Sequence, residues 1–291
     1  MSMLRWVIGD AVVTRVVEQE TGFPAEGFFP RASSDVLARH AEWLKPWALD
    51  DEGKLLLSIH ALCIESDGNR IVVDTCVGQR PLPDLYAHMS NDGSFLDALA
   101  DAGFARESVD IVICTHLHFD HVGWNTMCVE GEWVPTFPNA RYLLARPEYE
   151  HWSGASKEER NAASAITFDD AVTPLFEHGA VDLVDVNHAV TGAVSLTPTP
   201  GHTPGHVSVR IRSGDAAALI TGDCVHHAVQ LVEPEWHTAV DTDGEQSTAT
   251  RRRLVEECVD RDVLVIGTHF PAPTAGHLVT TDGGVRFRPL G

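Results

Sequence analysis

Apolar residues are distributed along this chain with two different periods. Short runs of four or five, Ile71-Val72-Val73-Asp74, Ile111-Val112-Ile113-Cys114, Arg141 to Ala145 and Val263-Leu264-Val265-Ile266, predict buried β-strands. Lys54 to Glu65 alternates loosely and predicts a strand that ends at the turn Ser66-Asp67-Gly68-Asn69. Further strands are expected at Val181–Asp185, Val194–Thr197, Val207–Ile211 and Ala216–Thr221. Helical spacing occurs in Ser94 to Ala102, through Phe95, Leu96 and Leu99 with Ser94 as the candidate N-cap, and in Ser247 to Val259. Groups of strands separated by helices fit helices packed outside two sheets. There is no low-complexity segment, no Gly/Ser linker and no short repeat, so residues 1–291 are expected to form a single domain.

One segment breaks the pattern. Thr21 to Leu49 holds Phe23, Phe28, Phe29, Trp43 and Trp47 together with Pro24, Pro30 and Pro46, and is only weakly periodic. It is expected to be a loop with a short helix near Ser33 to Leu44. Two roles fit residues 21–49: an arm that packs on the body or on a second copy in a homodimer, or a lid that walls an apolar substrate pocket with Phe28 and Trp43.

Composition narrows the partners. The formal net charge is -21, from 21 basic and 42 acidic residues. This argues against a nucleic-acid surface or an anionic-membrane surface, either of which needs a basic patch. No apolar run reaches the roughly 18 residues of a transmembrane helix, and Met1 to Asp10 lacks a long apolar signal region. The expectation is a cytoplasmic protein acting on a small molecule. Six cysteines lie scattered in apolar segments without a Cys-x-x-Cys pair, which suggests reduced, mostly buried thiols.

The strongest chemical signal is Thr115-His116-Leu117-His118-Phe119-Asp120-His121, directly after a predicted strand. While the chain stays extended, side chains two apart point the same way, so His116 and His118 can reach one metal. Asp120 and His121 follow where the chain should turn, and can aim at a second centre. Such a cluster cannot encircle two metals alone. Three other candidates sit at strand ends or in rigid turns: Thr199-Pro200-Gly201-His202-Thr203-Pro204-Gly205-His206, Thr221-Gly222-Asp223 and Gly267-Thr268-His269. Imidazole and carboxylate donors suit zinc, and also Fe, Mn or Co.

These motifs, with Val73-Asp74-Thr75 and Gly78 before them, resemble the metallo-β-lactamase fold superfamily in kind and order, from about Leu55 to His277. The resemblance implies an α/β fold, an αββα sandwich, with the site at one edge between the two sheets. It implies that His116, His118 and His202 hold a first divalent metal ion, that Asp120, His121 and His269 hold a second, and that Asp223 bridges them. Asp74 and His206 are then supporting residues rather than ligands. Two cations sharing a water lower its pKa, so that the water attacks a carbonyl or phosphoryl centre. Asp120 is the candidate catalytic residue, placed to orient that water or carry a proton.

The segment Gly222 to Gln230 and the tail Gly267 to Pro271 look like the branch containing methyl parathion hydrolases and quorum-quenching lactonases. By that likeness His226 and Gln230 line the substrate pocket, and the expected reaction is hydrolysis of a lactone, aryl ester or phosphotriester with an apolar substrate. Many lactonases of the branch place a tyrosine near the metals; here Tyr86, Tyr142 and Tyr149 are the only tyrosines, and none follows Asp223 at a comparable place. A thioesterase of the glyoxalase II kind or a β-lactamase of the same fold is the alternative. A metal-binding or redox protein without hydrolysis is a third reading.

Overall fold

The alternation inside the short apolar runs decides how two sheets pack. In a strand, successive side chains face opposite sides. Ile71, Val73 and Ile113 therefore meet Val194, Leu196, Val209, Ile211, Ile220 and Ile266 in a core between the sheets. Val72, Val112 and Cys114, from the same strands, face outward to a second core. The computed structural model describes residues 3–45, 47–84, 86–89, 93–162 and 164–290.

The first sheet begins with β1 (Arg5–Ile8), β2 (Ala11–Pro24), β3 (Lys54–Ser66), β4 (Asn69–Val73) and β5 (Ile111–Cys114). A separate hairpin of β6 (Thr126–Val129) and β7 (Glu132–Pro135) follows, and β8 (Arg141–Ala145) and β9 (Val181–Val184) complete the first sheet. Its order is β1-β2-β3-β4-β5-β8-β9, antiparallel as far as β4 and parallel from β4 to β9. The second sheet runs in sequence order through β10 (Val194–Pro198), β11 (Val207–Ser213), β12 (Ala216–Ile220), β13 (Val263–Ile266), β14 (Ala275–Thr281) and β15 (Gly284–Pro289). Helices Ser94–Asp101 and Arg146–Gly154 cover the outer face of the first sheet through Phe95, Leu99 and Trp152. Helix Gly244–Cys258 covers the second through Leu254 and Cys258. The result is an αββα sandwich.

Strand direction places the functional loops. β10 and β12 each run antiparallel to β11, and β13 runs parallel to β12, so the C-terminal ends of β10, β12 and β13 point the same way. The parallel pair β4 and β5 ends beside them. His202 follows β10, Asp223 follows β12, His269 follows β13, Asp74 follows β4 and His116 follows β5.

The predicted strands between Lys54 and Ile266 recur within a residue or two at most ends. The N-terminal expectation needs correction. Thr21 to Pro24 is not loop but the end of the 14-residue β2. Helices Ala25–Phe28 and Ser34–Leu44 follow, the second capped by Ser33, whose Oγ accepts from Val36 N at 3.3 Å. Phe29, Leu37 and Leu44 pack with Leu55, Val229 and Trp236. Pro46 lies outside the described residues. Helix Ser94–Asp101 has Gly93 and not Ser94 at its N-cap, since Ser94 is already its first helical residue, and Gly93 adopts φ 97°, a conformation glycine takes without penalty. Among the described residues, no helix is long and apolar enough to cross a membrane.

The loop after β4 is stitched to the segment that follows the histidine cluster. Thr75 N donates to His121 O at 2.7 Å, and Gly123 N to Cys76 O at 2.7 Å. The approach is so close that an added Cβ on Gly123 would lie 1.8 Å from Val77 O, a backbone atom with no room to retreat. Gly123→Ala is expected to cost about 3 kcal/mol, the upper range for overpacking. That corresponds to a Tm drop of about 6 °C or more. Thermal denaturation at an unchanged Tm would show that the two loops are not locked together.

Candidate metal centre and substrate pocket

His116 and His118 extend from the end of β5, and Asp120 and His121 belong to the one-turn helix Phe119–Val122. His202 lies in the Pro-Gly turn between β10 and β11, and Asp223 in the 3-10 turn Gly222–Cys224 after β12. His269 follows β13. The fold brings all seven side chains together. His202 Nε2 is 2.9 Å from His118 Nδ1 and 3.2 Å from His116 Nε2. His269 Nε2 is 3.2 Å from His121 Nε2 and 3.7 Å from Asp120 Oδ2. Asp223 lies between the two groups: Oδ2 is 3.1 Å from His121 Nε2 and 3.5 Å from His202 Nε2, while Oδ1 is 3.1 Å from His269 Nε2.

These distances fit two divalent cations. Tetrahedral ligands at 2.0–2.1 Å from zinc stand about 3.3 Å apart, close to the spacings between the imidazole nitrogens. Within His116, His118 and His202, and within Asp120, His121 and His269, the donor atoms all lie inside 4.8 Å of one another. The Oδ1 atom of Asp223 is buried and makes no hydrogen bond. Electrostatics point the same way. Burial, reinforced by the charges of neighbouring imidazoles, pushes His116 and His118 well below the ordinary histidine value, which keeps them neutral and able to ligate. At His121 burial acts in the same direction, but Asp223, Asp120 and Asp74 outweigh it and hold this imidazole well above its ordinary value. The carboxylate side of the cluster therefore attracts positive charge.

A layer of hydrogen bonds aims these donors. Asp74, with φ 58°, accepts from Thr115 N and Thr115 Oγ1, each at 2.8 Å, and its Oδ2 is 2.9 Å from His121 Nδ1. His206 does not join the ligand group. Its Nε2 accepts from Asp223 N at 2.8 Å, which assigns the proton to Nδ1, donated to Thr199 Oγ1 at 2.8 Å. Burial pushes His206 down to about 3, so this neutral state persists. His269 Nδ1 is 3.0 Å from the carbonyl of Ser58.

Two further carboxylates gave no recognisable pattern in the sequence. Asp241 Oδ1 is 2.8 Å from His202 Nδ1, so a fully buried carboxylate orients that imidazole from its far side. Glu18 sits where the β2–β3 register shifts between Val17 and Gln19. It accepts from Val77 N at 2.8 Å, Gly78 N at 3.1 Å and Trp124 Nε1 at 2.8 Å, fastening the loop that carries Asp74. A bulge redirects one side chain in this way, but its position is not readable from an alternating pattern.

A cavity of about 380 Å³ opens onto the cluster. Phe23, Phe28, Leu57, Ile59, Met89 and Phe119 supply most of its apolar wall, and Asp120, Asp223, His226 and His269 form part of its lining. Among the described residues, no lysine or arginine lines it. His226 is buried, with Nε2 at 3.1 Å from Asp223 Oδ2 and its ring 5.4 Å from that of Phe28. Trp43 and Gln230 do not line the cavity. Trp43 is turned toward His40 and the Arg286 guanidinium. Gln230 is wholly buried, its Oε1 accepting from His226 N and His227 N and its Nε2 donating to Trp236 O, so it shapes the loop that presents His226.

Residues 56–269 match the family described as the metallo-beta-lactamase superfamily. The chain belongs to that superfamily. It is 24% identical over 181 residues to an N-acyl homoserine lactonase of Bacillus thuringiensis, a match covering 58% of this chain and 64% of that protein. It thus spans somewhat under two thirds of that relative's length. It is 25% identical over 246 residues to a probable metallo-hydrolase of Mycobacterium tuberculosis, covering 75% of this chain and 76% of the relative. The fold is similar to the structure of AidC, a dizinc quorum-quenching lactonase in complex with a product, with TM-score 0.79 and 21% identity over 99% of this chain and 97% of that one.

Removing the carboxylate behind His202 tests the cluster without touching a donor. Asp241→Asn is expected to weaken cation affinity about 10–100-fold, read by competition against a chelator. His118→Ala is expected to lose both metal and turnover. Wild-type cation affinity in both variants would contradict the assignment.

Proposed function

We propose that this protein is a metal-dependent hydrolase that opens lactones bearing an apolar tail, with two zinc ions as its cofactors. The observation that carries this reading is the cavity: an apolar chamber with no lysine or arginine among its described lining residues, ending on His118, Asp120, His202, Asp223 and His269 of the converging donors. An uncharged substrate with a hydrocarbon tail fits it. An anionic β-lactam or anionic thioester would find no countercharge on the wall, which disfavours the β-lactamase and glyoxalase II alternatives. Aryl esters and phosphotriesters share the neutral, apolar character and are candidate second substrates. The B. thuringiensis relative is named an N-acyl homoserine lactonase, and this supports the lactone class. Six unpaired cysteines, five of them buried, fit a reducing compartment such as the cytoplasm.

His116, His118 and His202 would hold one cation, Asp120, His121 and His269 the other, and Asp223 would reach both. When bound, the pair supplies Lewis acidity and lowers the pKa of a shared water. The protein's own groups do the rest. Phe23, Phe28 and Ile59 bury the tail and exclude solvent. Asp120, on the cavity lining with its side chain 18% exposed, would take the proton of the attacking water and deliver it to the ring oxygen as the C–O bond breaks. The product is then a hydroxy acid, with every atom of water accounted for.

The test is a substrate panel with the Zn-, Co- and Mn-loaded protein: acyl lactones of increasing length, p-nitrophenyl esters, a phosphotriester, an anionic thioester and a β-lactam. Each buried methylene is worth about 0.8 kcal/mol, so kcat/KM should rise by up to about fifteenfold for two methylenes until the cavity is filled. A preference for the anionic substrates, or no dependence on tail length, would overturn the reading. Phe28→Ala should raise KM for the longer lactones by about tenfold and leave metal content at the wild-type level; unchanged kinetics would return Phe28 to a packing role.

A further inference from the structure

Glu148, in helix Arg146–Gly154 just after β8, is 1% exposed and takes no part in the ligand cluster or the pocket wall. Its two carboxylate oxygens meet four donors. Oε1 accepts from Leu117 N at 3.1 Å and from Trp152 Nε1 at 2.7 Å. Oε2 accepts from Thr203 Oγ1 at 2.7 Å and from Gly205 N at 3.0 Å.

The sequence positions of those donors matter. Leu117 stands between His116 and His118, and Thr203 is next to His202. Trp152, aimed by the same carboxylate, lays its ring 5.7 Å from that of His118. Gly205 crosses so close to the helix that an added Cβ would lie 2.1 Å from Glu148 N, so the turn carrying His202 rests directly on Glu148. Two loops 84 residues apart at His118 and His202 are thereby tied to one rigid group. Among the described contacts, none links Glu148 to Asp120, His121 or His269. His121 and His269 are held instead through Asp74 and the Ser58 carbonyl.

We propose that Glu148 is a positioning residue that fixes the spacing of His116, His118 and His202, and so governs occupancy of the first cation position selectively over the second. The inference rests on the two-cation reading of the cluster and not on the identity of the substrate. A carboxylate is suited to this task because it accepts on both oxygens. Four converging donors and no acceptor leave no place for an amide N–H.

Glu148→Gln puts an NH2 group against two of these donors at nearly constant volume. The metal-loaded full-length protein would be dialysed against a graded chelator series, with cations counted by elemental analysis and the cobalt form followed by its absorption spectrum. The expected result is that Glu148→Gln falls to about one cation per chain at chelator concentrations where wild type keeps two, a loss of about 10–100-fold in affinity at one position. For any substrate turned over, kcat should fall while KM moves less than twofold. Two cations held at wild-type affinity, with only Tm reduced, would overturn the proposal and leave Glu148 a packing role. If Glu148→Gln does not fold, Thr203→Val removes a single donor from the His202 turn. It should weaken one cation about tenfold, and wild-type affinity in it would equally overturn the proposal. A wild-type chain that takes up no cation at all would instead sink the two-cation reading.

Discussion

Crowding imidazoles and carboxylates into one buried volume is unfavourable unless positive charge, on a bound cation or on an imidazole such as His121, compensates the carboxylates. Burying a carboxylate is costly unless it is partnered; Asp74 is partnered by Thr115 and His121, and Asp223 is packed among His121, His226 and His269, with Asp120 only partly open. The remaining architecture is arranged around that unfavourable cluster. β5, β10, β12 and β13 deliver its members from opposite sheets to one edge, so a cation held there would link the two halves of the sandwich. In such proteins metal affinity becomes part of folding stability.

Precision comes from the residues behind the donors. Asp74 spans Thr115 and His121, His206 holds the amide of Asp223, Asp241 grips the far nitrogen of His202, and Glu148 joins the loops on either side of His118 and His202. Asp74, His206 and Glu148 are anchored at strand ends or in a helix of the body, whereas Asp241 lies in the loop before helix Gly244–Cys258. The substrate wall is built differently, from Phe23 and Phe28 where β2 runs into a short helix, and from Thr238, Ala239 and Val240 in a loop. Metal geometry thus rests mainly on the sandwich and pocket shape mainly on connecting segments, and the two meet at Asp241, which accepts from Thr238 of the wall loop while it orients His202.

Much of this was legible in the chain. The buried strands announced themselves as short β-branched runs, and the donors stood at their ends beside Gly and Pro, where spacing carries information. Other parts had no such signature. β2 is long, half-buried and bulged at Glu18, and its last residues share a proline- and phenylalanine-rich stretch that resembles a loop. β14 and β15 carry polar residues through much of their length as the outer hairpin of the second sheet, which weakens their alternation. Glu148 and Asp241 are single carboxylates in polar surroundings. Only their tertiary partners distinguish them from solvent-facing acids. Trp43 and Gln230 show the converse, since chain position near the pocket segments did not determine which way their side chains turn.

The most direct test of two cations held by side chains converging from both sheets is anomalous X-ray diffraction from crystals of the zinc-loaded protein, recorded on either side of the zinc absorption edge. Two peaks about 3.5–4 Å apart are expected, one among His116, His118 and His202 and one among Asp120, His121 and His269, with Asp223 between them. A single peak, or peaks away from these side chains, would contradict the account.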